Sequence, residues 1–268
     1  MTVSLIWRAA LWALLALSLQ LAGCSSTPKD ESAPSTAERL YKEAREDMDS
    51  GSYERAIKTL ERVEGLAAGS LLAQQALLDM AYLNWRSGER TQALTVVDRF
   101  IKLNPSSPAL DYALYLRGMI NFNEDLGLMS TLFGQELAER DQRASRDAYQ
   151  AFKQLVDQFP NSRYAADARR RMNSIINSLA AYEVHVASYY LRRGAYLAAA
   201  ARAQQVVTDF QQSPAVEQAL HILVQSYDKL QLTALRDDAD RVLRKNFPDS
   251  AYLDGKLAAR DRPWWKFW

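Results

Sequence analysis

The chain has 268 residues, nearly half of them hydrophobic, with 33 basic and 32 acidic side chains, one Cys and two His. This composition excludes wholesale disorder and leaves no net basic field to hold nucleic acid. It also excludes a disulfide framework and any zinc site built from several Cys and His ligands, and it points to no cofactor.

Residues 1–24, MTVSLIWRAALWALLALSLQLAGC, carry one charge, Arg8, followed by an apolar run from Ala9 to Ala22. That run is too short to span a bilayer comfortably, and the small residues before Cys24 give residues 1–23 the layout of a secretory signal peptide. Its end, Leu21-Ala22-Gly23-Cys24, resembles the bacterial lipoprotein signal. The resemblance implies that Cys24 receives a diacylglycerol, that the chain is cut before it, and that the new amino group is acylated. Two or three acyl chains hold durably where one does not. The other reading is an unmodified, buried Cys after ordinary cleavage. Ser25 stands where an Asp would resemble an inner-membrane retention signal, so the resemblance points to the periplasmic side of the outer membrane. Residues 25–35, SSTPKDESAPS, are polar and non-periodic and read as a flexible tether, with a typical reach of about 18 Å.

From residue 36 to 250 the apolar spacing is helical. Ala73, Ala76, Leu77, Met80 and Ala81 step by three and four, RSGER interrupts, and Ala93, Val96, Val97, Phe100 and Leu103 resume the pattern. This is a helical hairpin turning at Gly88, and Gly51 and Gly194 mark the same turn elsewhere. The short segments GSLLA, NPSSPAL, FPNSRYA, FQQSPAV and FPDSAYL set Ser70, Ser107, Ser162, Ser213 and Ser250 in one phase. Each serine is expected to cap the first helix of the next hairpin. Ala93, Ala148 and Ala199 each lie twelve residues before the seam position of Pro105, Pro160 and Gln211. A small residue there, with Ala44, Ala56 and Phe152 in further matching positions, resembles the tetratricopeptide repeat. Five units follow, the last with Arg236 at the small position and expected to cap the stack. The expected fold is all-α, a curved superhelical array of tetratricopeptide-type hairpins.

Two units are oversized. In the third, an apolar insert falls over 124–144, interrupted by Gly127 and Gly134, and reads equally as a flap on the array's edge or as a partner contact. In the fourth, residues 163–193 contain no Gly or Pro, which favours one helix of roughly 46 Å, with two helices meeting near NSLAAYE as the alternative. Residues 251–268 form an aromatic and basic tail ending in RPWWKFW. Exposed aromatics favour docking, whether at the lipid interface, on the last repeat or on a partner.

No phosphate-binding loop, nucleophile elbow or paired-histidine motif occurs, and His185 and His221 read as structural. The chain is therefore expected not to be an enzyme, and an array of this kind offers its surface to an extended peptide or another helix.

The stretches DRFIKLNPSSPALDYALYLRG (98–118), AYEVHVASYYLRRGAYLAAAARAQQV (181–206) and the FPNSRYAADA seam resemble the BamD (ComL) family of outer-membrane assembly lipoproteins. The resemblance implies a non-enzymatic subunit of the machinery that inserts β-barrel proteins. Its C-terminal repeats would dock on a POTRA domain of the barrel subunit BamA, its N-terminal repeats would receive unfolded barrel substrates, and the BamC lipoprotein would lie along its surface. By position the family's BamA-contacting arginine falls on Arg202, with Gly194 and Tyr196 forming the preceding turn. The small neighbours of Arg202 are expected to leave its fork open to a partner carboxylate, so that Arg202→Glu weakens the complex without unfolding the protein. Tyr41, Tyr82 and Tyr112 are the substrate-groove candidates, with core or seam packing as their other reading. At the first seam this chain reads GLAAGSLL where the family carries an aromatic-Pro step. The alternatives are a periplasmic repeat scaffold coordinating cell-wall synthesis with envelope constriction, and a periplasmic hydrolase with an unrecognised carboxylate pair.

Overall fold

The computed structural model describes residues 35–122 and 135–253, without the side chains of 135–141. Cys24 and its tether, residues 124–134 of the insert and the aromatic tail lie outside the described residues.

The described chain forms ten α-helices. These are α1 (Thr36–Asp49), α2 (Tyr53–Leu66), α3 (Leu71–Arg86), α4 (Arg90–Leu103), α5 (Leu110–Asn121), α6 (Gln135–Gln158), α7 (Ala165–Arg192), α8 (Tyr196–Asp209), α9 (Ala215–Lys229) and α10 (Thr233–Asn246). Each helix packs on the next, giving five hairpins in sequence, and the first helices α7 and α9 of the last two hairpins also pack on each other. The 163–193 stretch is occupied by one helix, α7. Helix α6 begins directly after Gly134, so the last part of the 124–144 insert is helical.

Periodicity explains the packing. In α2, Ala56, Thr59, Leu60 and Val63 recur at the spacing of one helix face and are buried while their neighbours meet water. The small positions Ala44, Ala56, Ala93, Ala148 and Ala199 are fully buried and let paired helices approach closely. Two apolar clusters result, one running from Leu40 to Ile120 and the other from Leu110 to Leu243. They interleave on α5, where Ala113, Leu116 and Ile120 face the first cluster and Leu110 and Leu114 the second. This helix therefore couples the two halves of the stack.

Four of the five seam serines do not cap as expected. Ser70 is a true N-cap, its hydroxyl accepting from the Ala73 amide at 3.2 Å. At the other four seams the serine stands between two tight turns instead. Its amide donates to the residue three before it (Asn104, Phe159, Phe210, Phe247), and its carbonyl accepts from the residue three after it (Leu110, Ala165, Val216, Leu253). The hydroxyl accepts from the amide two residues on, at 3.2–3.3 Å. At two seams it also donates into the preceding hairpin, Ser107 to Gln74 at 2.8 Å and Ser162 to Asp111 at 2.6 Å. Ser107 and Ser162 thus join neighbouring units as well as turning the chain into the next helix. Helix α1 has a capping box that the periodicity alone does not reveal, Ser35 with Glu38.

Among the described residues, the turns of the first, second, fourth and fifth hairpins share a left-handed residue: Gly51, Gly88 and Gly194 at φ of 77–83°, and Gln231 at 59°. A side chain in that region costs about 1–2 kcal/mol, which Gly avoids. Gln231→Gly is expected to stabilise the chain by about 0.5–1 kcal/mol, less than the full strain because Gly also loosens the unfolded chain. A rise in the urea midpoint at unchanged slope is the readout.

Candidate functional site

The first helices of the N-terminal hairpins bring the three candidate tyrosines together. Tyr41 on α1 donates its hydroxyl to Asp79 Oδ2 on α3 at 2.8 Å, and the Gln75 amide donates to Asp79 Oδ1 at 3.0 Å. Tyr112 on α5 lies in the field of Asp79, Tyr164, Tyr82 and Tyr115, and packs on Tyr164 with ring centroids 5.6 Å apart. Tyr82 meets Trp85 edge-on at 5.9 Å. All three are half-buried. The row continues through Tyr115, stacked on Tyr164 at 4.8 Å, to Asp167 on α7, which accepts from the Tyr115 hydroxyl at 2.8 Å and from Arg171 Nε at 2.6 Å. Twice, then, a tyrosine of one hairpin donates to an aspartate of the next.

The two aspartates titrate in opposite directions. Burial raises Asp79, outweighing the hydrogen bonds from Tyr41 and Gln75. Burial also acts to raise Asp167, but the bonds from Arg171, Tyr115 and Arg170 win and hold it at about 2. Burial, aided by Asp79 and the neighbouring tyrosines, pushes Tyr112 up to about 12, and burial with the Asp79 contact raises Tyr41 as well. The phenols of Tyr41, Tyr112 and Tyr115 are thus all held back from ionising, over one carboxyl group whose charge burial disfavours and one carboxylate that is well paired.

A carboxylate whose folded pKa is raised weakens the fold as pH rises through that pKa. Asp79→Asn keeps the acceptor for Tyr41 and loses the buried charge. The variant is expected to melt higher than wild type at pH 7, with the gap closing as the pH falls below the ordinary carboxylate range. Asp79→Ala leaves the Tyr41 hydroxyl without its partner, at a cost of about 1–3 kcal/mol. Thermal melts at both pH values check the pair.

In the C-terminal half, Gly194 makes the left-handed turn between α7 and α8, and the hydroxyl of half-buried Tyr196 lies 4.0 Å from where a Gly194 Cβ would sit. Arg202 on α8 differs from the expectation. Its fork is not free for a partner alone, because Nη1 donates to Glu183 Oε2 of α7 at 3.0 Å. The Glu183 side chain is 4% exposed and the Arg202 side chain 44%. The small residues around Arg202 let it lie down on a buried carboxylate of its own chain and still show part of the guanidinium to solvent. Near that turn Tyr189 and Leu197 are exposed at 48% and 73%, and the Arg193 guanidinium lies 5.8 Å from the Tyr189 ring centroid.

A cleft of about 940 Å³ runs between α7 and α9. His185 and His221 both line it, so neither is a core histidine: His185 is exposed, and half-buried His221 stacks on Tyr252 at 4.5 Å and meets the Gln225 amide at 2.8 Å. Burial lowers the His221 pKa. Among the described residues no three His, Cys, Asp or Glu side chains gather to hold a metal, and no helix is long and apolar enough to cross a membrane.

A family model described as YfiO, outer membrane lipoprotein, matches residues 34–243. The chain belongs to the YfiO family of outer membrane lipoproteins. The family match begins one residue before Ser35, the N-cap of α1, and ends within α10, so it spans all five hairpins and includes Tyr41, Tyr82, Tyr112, Gly194, Tyr196 and Arg202. Among curated proteins, outer membrane protein assembly factor BamD of Neisseria meningitidis serogroup B is 43% identical over 259 residues, covering 95% of this chain and 97% of the relative. The proteins of that name from Xylella fastidiosa (36% identical, 91% of this chain and 83% of the relative) and Vibrio cholerae (34%, 87% and 96%) are similar too. A solved structure of the MamA protein covers 85% of this chain and 96% of its own at 15% identity, with a TM-score of 0.37. A likeness that loose carries no functional argument.

Within this YfiO-family chain, the residues that sequence reasoning misses are the carboxylates beneath the candidates: Asp79 under Tyr41, Asp167 under Tyr115 and Glu183 under Arg202. For Asp79 and Glu183 the signal is faint but present, since each interrupts a largely apolar helix stripe, whereas Asp167 lies among Arg163, Arg170 and Arg171 and reads as part of a solvated face.

Proposed function

We propose that the chain is a non-catalytic subunit of the β-barrel assembly machinery of the outer membrane. The observation that carries this is the family match over all five hairpins, together with 43% identity across nearly the full length to an outer membrane protein assembly factor. The lipoprotein signal ending Leu21-Ala22-Gly23-Cys24 supports anchorage through acylated Cys24 on the periplasmic side. In this reading Gly194, Tyr196 and Arg202 present a docking surface to a POTRA domain of BamA, with BamC as a further lipoprotein along the stack. The Tyr41, Tyr82 and Tyr112 face receives unfolded barrel substrates. Tyrosines suit such a surface, since their rings cover apolar side chains and their hydroxyls can bond the backbone of an extended segment without selecting its sequence.

The test is a mild-detergent pull-down through the full chain, with the tethered peptide measured by mass spectrometry. Recovery of a POTRA-bearing barrel protein and a mature N-terminus at an acylated Cys24 is expected. Cell-wall synthases in its place would favour the constriction scaffold and overturn the proposal.

A further inference from the structure

We propose that the anchored chain meets the bilayer a second time, through Leu66, Leu71 and Leu103 at its first two seams. The inference rests on acylation of Cys24, because the tether sets which end of the stack faces the lipid.

These three leucines are 61%, 70% and 63% exposed, and burial would remove that apolar area from water. Leu103, at the end of α4, lines a cleft of about 480 Å³ with Gly65, Gly69 and Ser70 of the first seam and with Glu61 and Glu64 of α2. Leu66 and Leu71 flank that seam in the chain, one on each side. Aligning the seams on their serines supplies an internal comparison. Leu66 and Leu103 stand four residues before Ser70 and Ser107, where the later seams carry Gln158, Asp209 and Asn246. Leu71 stands one after Ser70, where the other seams carry Pro108, Arg163, Pro214 and Ala251, so a large aliphatic side chain occurs there at the first seam alone. The position four before the serine is thus apolar at the first two seams and polar at the other three. A packing requirement common to all repeats would not divide them this way.

What distinguishes the first two seams is their distance from the anchor. Helices α1 and α2 have 14 residues each and form an antiparallel hairpin, so Ser35, where the tether enters, lies at the same end as Leu66. From Cys24 to Ser35 the chain spans typically about 18 Å and at most about 36–40 Å. A globule held that closely by its seam end brings the three leucines to the acyl–headgroup boundary, and Lys102, exposed beside Leu103, can meet anionic headgroups. This seam also lacks the aromatic-Pro step: Ala67 stands in the place of Phe159 and Phe247, whose rings pack back on the core.

The experiment uses the full lipoprotein in vesicles of phosphatidylethanolamine and phosphatidylglycerol. The chain has one natural Cys, and acylation blocks it, so Leu71→Cys, Leu103→Cys and, at the opposite end, Leu235→Cys each carry a single environment-sensitive label. Labels at 71 and 103 are expected to shift to the blue and to be quenched by lipids bearing a quencher near the headgroup, while the label at 235 does neither. Equal and weak quenching at all three sites in protein that floats with the vesicles would overturn the contact and leave the anchor standing. A label at 71 that is shielded without lipid quenching would assign the patch to a second copy of the chain and equally refute the lipid contact. Protein that fails to float refutes acylation of Cys24 and the contact with it. In the Leu66→Ser, Leu71→Ser, Leu103→Ser triple variant flotation persists, because the acyl chains remain, and accessibility of the first seam to protease rises.

Discussion

Replacing Gly118 with alanine is expected to lower the stability of the chain by about 1–3 kcal/mol, the usual range for forcing extra volume into a packed core. An added Cβ would lie 2.4 Å from Phe152 Cε1, 2.6 Å from Cδ1 and 2.7 Å from Cζ, inside any contact that carbon atoms tolerate. The Phe152 ring has nowhere to retreat. It is fully buried, with Tyr115 at 6.0 Å on one side and Phe122 at 6.2 Å on another. Relief must come from separating α5 from α6, and α5 is the helix on which the two apolar clusters interleave. The strain also passes through Tyr115 to its bond with Asp167, so the tyrosine face should loosen along with the core. Urea unfolding followed by helix content reads the loss. Phe152→Leu, placed in the Gly118→Ala background, removes ring atoms at the point of collision and should recover part of it. A Gly118→Ala midpoint equal to wild type would show that the helices part freely.

Gly118 also shows what kind of information a sequence holds. It closes the 98–118 stretch that carries the family resemblance, yet nothing in its neighbourhood says that a phenylalanine 34 positions away fills the space above it. The helices, hairpin turns and buried alanines are readable because they depend on periodicity and on residues a few positions apart. So are Gly51, Gly88 and Gly194, whose turns each need a residue free of a Cβ. Gln231 is not, since its turn is imposed by packing of α9 and α10 against the cost of a left-handed side chain. Local rules assign the seam serines to capping, whereas Ser107 and Ser162 also donate to Gln74 and Asp111 across a unit boundary. Likewise Tyr41, Tyr82 and Tyr112 are each legible as candidates, but the bond from Tyr41 to Asp79 and the placing of Tyr112 in the field of Asp79 and Tyr82 are properties of three stacked hairpins and appear in no single one. His185 and His221, 36 residues apart in sequence, share a cleft for the same reason.

The Glu183–Arg202 pair changes what a charge reversal can test. Arg202→Glu would set a second carboxylate against one whose side chain is 4% exposed, and breaking a buried pair from one side costs about 3–5 kcal/mol. Because Arg202 itself is 44% exposed and water can follow the lost guanidinium, the expected destabilisation is about 3 kcal/mol, the lower end of that range. This contradicts the simpler expectation that the reversal spares the fold, and a failed pull-down with Arg202→Glu would mix a lost contact with a loosened α7–α8 hairpin. The informative variant removes both charges. Glu183→Gln with Arg202→Gln leaves two amides able to bond each other, so stability should stay within about 1 kcal/mol of wild type while the exposed cation is gone. If Arg202 holds the barrel subunit, the double variant melts like wild type and no longer recovers it. Recovery at wild-type yield would confine Arg202 to an internal role, neutralising Glu183 beneath the turn at Gly194. A near-wild-type melt for Arg202→Glu alone would instead show that Glu183 reaches solvent on its own, and the pair would then lose its claim to position anything.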